Sequence, residues 1–373
     1  MNVFDFAIVG AGIAGATLAA QLAPHGHVLL LEAEALPGLH STGRSAAMFM
    51  ASYGPPQARA LTRASRAAYL AAGDVLTPRG VLYVGWVDQQ ALLDAQFASL
   101  QDGGSAVQRI DAATALGLVP VLRTEGLLGA IAEPEATDID VHVLHQQALR
   151  QARRAGAQLW NNAALAAAQQ LAGAWTLQLD DGRSARAAVL VNAAGAWADT
   201  VAQRAGLPPL GLQPCRRSAF TFDAPDHDHR AWPLVADIGE GWYFKPDAGQ
   251  LLGSPANADP VPPHDVQAEE LDIATAIHRI EAHTTLTIRR PRRTWAGLRT
   301  FAPDGELVIG ADPRQPAFFW LAGQGGYGIQ SAAGAALLAQ ALLCGNALPT
   351  ALRHEGVDPA AMAPGRLLEQ HPP

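Results

Sequence analysis

The chain has 373 residues, of which 49% are hydrophobic and 16% charged, a composition that excludes an intrinsically disordered protein and is long enough for two domains. The formal net charge of −8 leaves no basic excess for a nucleic-acid or anionic-lipid surface, so we expect no nucleic-acid partner. Its two cysteines, Cys215 and Cys344, lack the spacing of a zinc site or a disulfide framework, so we expect no metal.

Neither end of the chain predicts a targeting or membrane segment. No basic region precedes the first apolar run, as a secretory signal would require. The uncharged stretch over 315–352 is interrupted by glycines and glutamines over 324–330, which favours a buried strand, a turn and a buried helix over a membrane helix. We therefore expect a cytoplasmic protein without a transmembrane segment, and leave peripheral contact with an inner membrane open.

A dinucleotide-binding pattern opens the chain. Apolar runs over 4–9 and 27–31 predict strands, and residues 16–22 between them predict a helix. The connecting turn carries the GxGxxG spacing, in which glycines allow the tight turn, the approach of a pyrophosphate and close packing of helix on strand. The turn residues that we expect to contact the cofactor are Gly10, Gly12, Ile13, Ala14 and Gly15.

An acidic residue follows the second predicted strand at the expected distance. Glu32 lies 22 residues after Gly10, where a carboxylate can accept hydrogen bonds from an adenosine ribose and would repel a 2′-phosphate. The neighbouring Ala33 belongs to the same predicted contact. This placement disfavours NADP and leaves NAD and FAD.

Two later segments repeat the strand, turn and helix order. Residues 187–192 predict a strand that leads into a small-residue turn containing Gly195, and 318–322 predict another, followed by a glycine-rich turn over 323–330 and a helix to about Leu343. Such reuse of one sheet is typical of flavoproteins with two dinucleotide-binding motifs. A second helix start can stabilise the negative charge that a flavin gains on reduction, although the turn could also merely pack against the sheet.

Several motifs together resemble bacterial D-arginine dehydrogenase, within the D-amino-acid oxidase (DAO) family of flavoproteins. They lie at 40–47, 53–54, 61–66, 243–249, 294–299 and 325–330, and the likeness extends over nearly the whole chain. The resemblance implies an α/β (mixed α+β) fold in which a Rossmann-like FAD-binding domain is interleaved with a mixed-sheet substrate domain. We expect the FAD-binding domain over 1–75, 139–205 and 296–345, the substrate-binding domain over 76–138 and 206–295, and a C-terminal tail over 346–373, poorly ordered from Gly365.

The same resemblance implies noncovalent FAD. Sarcosine oxidases of this family attach their flavin through a cysteine where this chain has Arg299, and neither cysteine lies near that position. Beyond the first turn, the implied cofactor contacts are Ser41, Thr42, Gly43, Arg44, Ser45, Ala46, Ala47, Met48, Ala164, Gly195, Gly325, Gly326, Tyr327, Gly328, Ile329 and Gln330.

A substrate carboxylate in an apolar flavin pocket needs a cation, because an unpaired buried charge is costly. The resemblance assigns this role to Arg216 and Arg299, with hydroxyl groups from Tyr53 and Tyr243. The alternative is that Arg216, directly followed by Arg217, belongs to a structural ion pair.

The remaining predicted pocket residues depart from the family pattern. Met48, Met50 and Val81 stand where the D-arginine dehydrogenases carry a histidine, a threonine and a glutamate, and all three replacements are apolar. A cationic side chain would lose its counter-charge there, so D-arginine and D-lysine should be poor substrates. Met48 could instead be ordinary core filling. Gly326, Ile329 and Gln330 complete the predicted pocket.

The resemblance implies FAD-dependent oxidative deamination of D-amino acids to 2-oxo acids and ammonia, by hydride transfer to the flavin, and these pocket residues predict a preference for apolar side chains. The electron acceptor, oxygen or a quinone, stays open. One alternative is a glycine- or sarcosine-type amine oxidase. Another is a protein that binds FAD without turnover.

Overall fold

The computed structural model describes residues 3–368, which form two large β-sheets, a small sheet and flanking helices. The strands are β1 Val3–Val9, β2 Val28–Leu31, β3 Met48–Phe49, β4 Leu76–Pro78, β5 Val81–Trp86, β6 Gln108–Asp111, β7 Leu127–Glu133, β8 Thr137–Ile139, β9 Gln158–Trp160, β10 Leu165–Leu171, β11 Ala174–Leu179, β12 Ser184–Asn192, β13 Gln213–Phe222, β14 Leu234–Asp237, β15 Tyr243–Asp247, β16 Gln250–Ser254, β17 Asp259–Pro260, β18 Arg293–Phe301, β19 Val308–Asp312 and β20 Gln315–Ala322.

Ten α-helices connect or flank these strands within the described residues. They are α1 Ile13–Leu22, α2 Pro56–Ala71, α3 Gln90–Asp102, α4 Ala112–Leu118, α5 Val141–Arg154, α6 Ala198–Arg204, α7 Glu270–His283, α8 Ala332–Leu343, α9 Thr350–His354 and α10 Gly365–Leu368. None of the helices within 3–368 is long and apolar enough to cross a membrane.

The first sheet has eight strands and carries the dinucleotide-binding unit. Its order is β10-β11-β12-β1-β2-β9, and β20, with β19 beside it, continues from the later half of β12. The strands β12, β1, β2 and β20 are parallel to their neighbours in this group, and α1 follows β1. The expected strands at 4–9, 27–31, 187–192 and 318–322 are confirmed, as is the helix that ends at Leu343.

Two glycines allow α1 to pack closely on β1. Gly10 has a positive φ of 102°, and a Cβ there would lie 2.4 Å from the carbonyl oxygen of Ala193. A Cβ on Gly15 would lie 1.9 Å from the carbonyl oxygen of Gly10, so no larger residue fits without moving the backbone. The turn therefore keeps its shape only with glycine at both positions.

The second sheet has nine strands, in the order β17-β13-β16-β15-β14-β5-β7-β6, with β18 paired along β13. Its pairs are antiparallel apart from the parallel pair β14 and β5, as expected for a mixed sheet. Strand β18 pairs with β13 through residue 301, so this sheet extends past residue 296, where we expect the FAD-binding domain to resume.

The small sheet joins the two larger units. Its order is β3-β8-β4, so that Met48 pairs with Asp138. Asp138 in turn accepts hydrogen bonds from the buried Lys245 at 2.5 Å and from Arg79 at 2.7 Å. This ion-pair group fixes β15 of the second sheet against the segment that carries Met48.

The C-terminal segment is docked rather than loose. Leu352, Val357 and Met362 are buried in the core beside α1 and α8. Arg366 pairs with Asp304 at 2.6 Å. The expectation of a poorly ordered end was wrong for residues 365–368, and its last part, 369–373, lies outside the described residues.

Candidate active site

A cavity of about 410 Å³ opens along the C-terminal ends of the parallel strands, a size typical of cofactor sites. The predicted cofactor residues that line it are Gly10, Gly12, Ile13, Ala14, Glu32, Ala33, Ser41, Thr42, Arg44, Ser45, Ala46, Ala164, Gly195, Gly325, Gly326, Gly328 and Ile329. Local sequence patterns and family motifs therefore converge on one place in the fold.

The first turn of α1 is open toward this cavity. Its N-cap residue, Gly12, makes no side-chain cap, and a Cβ there would meet only Thr42 Oγ1, at 3.1 Å. The Ile13 amide donates to the same Thr42 oxygen at 3.0 Å. Because first-turn amides lack intrahelical acceptors, the turn can accept an anionic pyrophosphate.

Two buried side chains hold the turn itself. Glu32 Oε2 accepts the Ala11 amide at 3.0 Å, and His145 Nε2 lies 2.8 Å from the Ala11 carbonyl oxygen. The second Glu32 oxygen accepts the Glu34 amide at 3.0 Å. Burial raises the pKa of Glu32 above its ordinary value, although these backbone hydrogen bonds oppose the shift. Each oxygen keeps a further lone pair, which a ribose hydroxyl could use.

Six predicted cofactor residues do not line this cavity. Gly15 and Gly43 pack against backbone at Gly10 and Gly38, and Tyr327 packs on Tyr53 with ring centroids 5.2 Å apart. The other three line a second, adjoining cavity: Ala47, Met48 and Gln330.

The second cavity has a volume of about 100 Å³ and shares walls with the first. The residues common to both are Ser45, Ala46, Arg217, Tyr243, Arg299, Gly326 and Ile329. The predicted substrate-site residues Met48, Met50, Tyr53 and Gln330 also line it. A small molecule placed here would lie directly against a cofactor in the larger cavity.

Two arginines face this junction from adjacent strands. Cys215 on β13 lies opposite Arg299 on β18, and side chains two residues apart on a strand share a face, so Arg217 and Arg299 point the same way. Arg299 donates to the Tyr53 hydroxyl at 3.1 Å. A Cβ on Gly326 would lie 2.8 Å from Arg299 Nη1, so a larger residue there would displace the guanidinium.

Neither of these arginines has a carboxylate within salt-bridge distance among the residues that the structure describes. Arg217 donates from Nε to the Asn257 carbonyl oxygen. Burial and the neighbouring Arg299 cation lower the pKa of Arg217. The pair therefore presents two positive charges to a cavity that can admit an anion.

Arg216 does not belong to this site, and its predicted substrate contact is corrected. It points to the opposite face of β13, where Nε donates to Asp272 at 3.0 Å and Nη2 to Asp259 at 3.2 Å. Its Nη1 donates to Glu269. Strand alternation explains the error, since one residue along β13 changes the face. The structural ion pair, kept as the alternative, is what the fold contains.

Val81 is also corrected. It is 1% exposed and packs in the same apolar cluster as Met48 and Met50, but it does not line the cavity. Tyr83, two residues farther along β5 on the same face, lines the cavity instead.

A buried carboxylate stands behind Tyr83. Ser52 Oγ lies 3.1 Å from the Tyr83 hydroxyl and donates to Glu133 Oε2, while Glu133 Oε1 accepts the Ala51 amide at 2.7 Å. Burial raises the pKa of Glu133, against the effect of these hydrogen bonds.

Gln330 holds the same loop from its other side. Its Oε1 accepts the Met50 amide at 3.3 Å, and its Nε2 donates to the Tyr53 carbonyl oxygen at 3.1 Å. The loop that carries Tyr53 is thus fixed between Glu133 and Gln330.

Two more carboxylates border the second cavity. Asp237 is buried and already accepts from Gln89 at 2.8 Å and from the Gly241 amide at 2.9 Å. Glu240 is exposed in the turn between β14 and β15 and has a positive φ of 56°. Glu240 therefore places one negative charge at the rim.

Sequence reasoning missed several lining residues. In the large cavity these include Glu34, His40, Asp180, Trp197, Thr200, Arg204 and Arg217, and in the small one they are Tyr83, Leu234, Ala236, Asp237, Glu240, Trp242 and Ala256. His40 and Trp197 could have been noticed in motifs already quoted, since their rings lie 4.7 Å apart beside the cofactor cavity. The others are scattered along the chain and carry no local pattern.

Comparison with known proteins agrees with this arrangement. The sequence model of the family described as "DAO: FAD dependent oxidoreductase" matches residues 5–342. The chain belongs to this family. The FAD dependence expected from the family resemblance is thereby confirmed, while membership of the D-arginine dehydrogenase branch stays a prediction.

Among curated members of the DAO family, glycine oxidase of Geobacillus kaustophilus is 26% identical over 340 residues, covering 86% of this chain and 87% of its own. Its crystal structure superposes with a TM-score of 0.81 at 23% identity, covering 93% and 96%. L-Proline dehydrogenase from P. horikoshii gives a TM-score of 0.83 at 18% identity, with 99% of each chain covered. L-Amino acid deaminase from Proteus vulgaris gives a TM-score of 0.80 at 16% identity, covering 98% of this chain and 97% of its own. These structural similarities confirm the fold.

The large cavity fits FAD. The open first turn of α1 can hold the pyrophosphate, and Glu32 with its spare lone pairs can hold the ribose. Arg217 and Arg299, which line both cavities, would then border both the cofactor and a molecule in the smaller cavity. Neither free cysteine lines either cavity.

Proposed function

We propose that this protein catalyses the FAD-dependent oxidative deamination of D-amino acids with apolar side chains, giving 2-oxo acids and ammonia. The supporting observation is the pair Arg217 and Arg299, which face the junction of the two cavities without a carboxylate partner in the described chain. A guanidinium fork binds carboxylates bidentately, and two of them can fix an amino acid by its carboxylate end. The D configuration rests on the motif resemblance.

The wall of the small cavity supports an apolar side chain. Met48, Met50, Leu234 and Ala236 line it, and methionine adapts readily to side chains of different shape. Two carboxylates also line this cavity: Glu240 lies at the exposed rim, where water screens its charge, and Asp237 already accepts from Gln89 and the Gly241 amide. We therefore infer that D-leucine, D-methionine and D-phenylalanine are better substrates than D-arginine.

The chain's own groups bind and orient the substrate. Arg217 and Arg299 hold the carboxylate, and Tyr53, itself fixed by Arg299, and Tyr243 add hydroxyl groups on the same side. Bound FAD supplies the acceptor for the hydride that leaves the substrate Cα, and the resulting imino acid is hydrolysed by water. We propose that FAD is held noncovalently, and that oxygen or a quinone receives the electrons.

The test is anaerobic mixing of the holoprotein with both enantiomers of the amino acids and with glycine and sarcosine. Rapid bleaching of the flavin absorbance by D-leucine, and a higher kcat/KM for D-leucine than for D-arginine, are expected. A preference for D-arginine would contradict the pocket assignment. Flavin that stays oxidised with every compound would indicate a protein that binds FAD without turnover. Acid precipitation should release the flavin; colour left in the pellet would contradict noncovalent binding.

A glycine- or sarcosine-type amine oxidation is the second candidate. The substrate cavity of about 100 Å³ is small, which favours a small substrate. The glycine oxidase relative provides an independent reason to test it. Bleaching by sarcosine or glycine, without bleaching by branched D-amino acids, would select this function.

A further inference from the structure

A directed hydrogen-bond chain leads from the substrate cavity to a buried carboxylate. Ser52 has one hydroxyl hydrogen, which it donates to Glu133. The contact of 3.1 Å between Ser52 and the Tyr83 hydroxyl therefore takes its hydrogen from Tyr83. With Glu133 ionised, the Tyr83 oxygen has lone pairs but no hydrogen to offer to a substrate. Tyr83 lines the cavity, and its hydroxyl oxygen thus offers a hydrogen-bond acceptor to a substrate.

Two carboxylates line the substrate cavity, but Asp237 already accepts from Gln89 and the Gly241 amide, and Glu240 is exposed at the rim. The other polar groups near the substrate site suit a carboxylate rather than an ammonium group. Arg217 and Arg299 are donors only, and the Tyr53 hydroxyl already accepts from Arg299. Met48 and Met50 offer neither a strong acceptor nor a base. Yet an amino acid enters as an ammonium ion, and its nitrogen needs a free electron pair before the Cα hydrogen can leave as hydride.

We propose that Tyr83, Ser52 and Glu133 form the proton acceptor for the ammonium group of the substrate, a role that rests on the proposed function. An N–H bond of the ammonium breaks as an O–H bond forms at Tyr83. The original Tyr83 proton passes to Ser52, and the Ser52 proton passes to Glu133. The products are a neutral amine and a neutral carboxylic acid, with no change in oxidation state.

Burial supports both ends of this chain. Glu133 is 2% exposed, and burial raises its pKa, which makes it a stronger base than an exposed glutamate. Burial and the nearby Glu133 raise the pKa of Tyr83 well above its ordinary value, so Tyr83 transfers a proton only while receiving another. Glu240 and Tyr53 also act on Tyr83, and Arg66 acts on Glu133, where its positive charge lowers the pKa.

The test measures anaerobic flavin reduction by D-leucine in the holoenzyme from about pH 6 to about pH 11. Glu133→Gln, Ser52→Ala and Tyr83→Phe should each slow reduction about 100-fold at neutral pH and recover as the pH approaches the pKa of free D-leucine's ammonium group. Glu125→Gln is the control, because Glu125 is exposed and lines neither cavity. A loss that is equal at every pH, or profiles that superimpose on the wild type, would overturn the proton chain.

A binding measurement separates this role from simple damage to the site. The affinity for 4-methylpentanoate, which has the carboxylate but no amino group, should stay within about twofold of wild type in all three variants when followed by the flavin spectrum. A large loss of this affinity together with activity would assign the residues a structural role. No flavin reduction by any amino acid in the wild type would overturn the proposed function itself, whereas reduction with an unshifted Glu133→Gln profile overturns only the proton chain.

Discussion

Two adjacent arginines on strand β13 differ in their carboxylate partners. Arg216 is surrounded by Asp259, Glu269 and Asp272, all within salt-bridge distance. Arg217, on the other face, has no such partner in the part of the chain described by the structure and faces the cavity junction. The charge of Arg216 is thus neutralised on one face of the sheet, whereas the charge of Arg217 is available to a ligand on the other face.

The difference shows that the surroundings of a charge, rather than its identity or its motif, indicate its role. A cation that the fold has already paired has little capacity left for a ligand. A cation at a closed cavity without a partner becomes costly when the cavity loses water, unless the entering molecule brings the opposite charge. By this criterion Arg217 and Arg299 are ligand-binding groups and Arg216 is a structural one.

The largest expected effect comes from removing the unpaired cation. Arg217→Ala should lower kcat/KM for D-leucine about 100-fold, or about 3 kcal/mol in transition-state binding, because the substrate carboxylate loses one of two charge-assisted partners. Steady-state kinetics on FAD-loaded protein would measure it. Arg217→Lys should recover only part of the loss, since an ammonium cannot bind the carboxylate bidentately.

The adjacent arginine provides the matched control. Arg216→Ala should keep kcat/KM within about threefold of wild type and instead lower the free energy of unfolding by about 1 to 3 kcal/mol, because it leaves Asp272 without its cation. If Arg216→Ala lost activity as Arg217→Ala does while its thermal stability stayed unchanged, the assignment of the two faces would be reversed.

The parts of the fold that depend on local sequence patterns could be predicted from the sequence. The strand, turn and helix around Gly10 and Gly15 follow from periodicity and from glycines that only one backbone path accommodates. The choice between Arg216 and Arg217 does not, because it depends on the register between β13 and β18, some eighty residues apart. Resemblance located the right strand but not the right face.

Long-range packing explains the other differences. Val81 lies on the same face of β5 as Tyr83, so only the position of the cavity along the strand separates a core residue from a lining one. Glu133 ends an apolar strand, and nothing local indicates that it meets Ser52. Leu352 and Met362 pack on a core made by helices that are distant in the sequence. The apolar residues of this segment are not spaced with a helical period, so the sequence does not reveal the contact.

The same comparison can be tested in the large cavity, where the expected effect is smaller. Glu32 is a buried carboxylate that receives two backbone amides and keeps lone pairs toward the cavity. Glu32→Gln should weaken FAD binding about 10-fold, since it removes a charged acceptor for the ribose and places an NH2 group against a backbone amide. Fluorescence titration of apoprotein with FAD would measure the dissociation constant.

Asp5→Asn is the control for this substitution. Asp5 also accepts a backbone amide in the first strand–helix–strand unit, from His27 at 2.7 Å, but it is exposed and does not line the cavity. Its FAD affinity should match the wild type. Equal weakening in both variants would show that the carboxylates act through the fold of the unit and not through the ribose.

The smallest expected effect concerns stability and pH. Glu133 is a carboxylate that the fold encloses completely, and burial raises its pKa above the ordinary value of 4.5. At a pH between the pKa of the unfolded chain and the raised pKa of the folded protein, the folded protein keeps a proton that the unfolded chain has lost. Protonated Glu133 therefore stabilises the fold at low pH, and this contribution disappears as the pH rises through the folded pKa. The apoprotein of Glu133→Gln should therefore become more stable relative to wild type between about pH 4 and about pH 8, by on the order of 1 kcal/mol. Denaturant titrations of both proteins across that range would measure the difference, with Glu125→Gln as the exposed control. If the difference in stability between the two proteins did not change with pH, the fold would not disfavour the ionised form of Glu133. Its charge would then be as well compensated as that of Arg216.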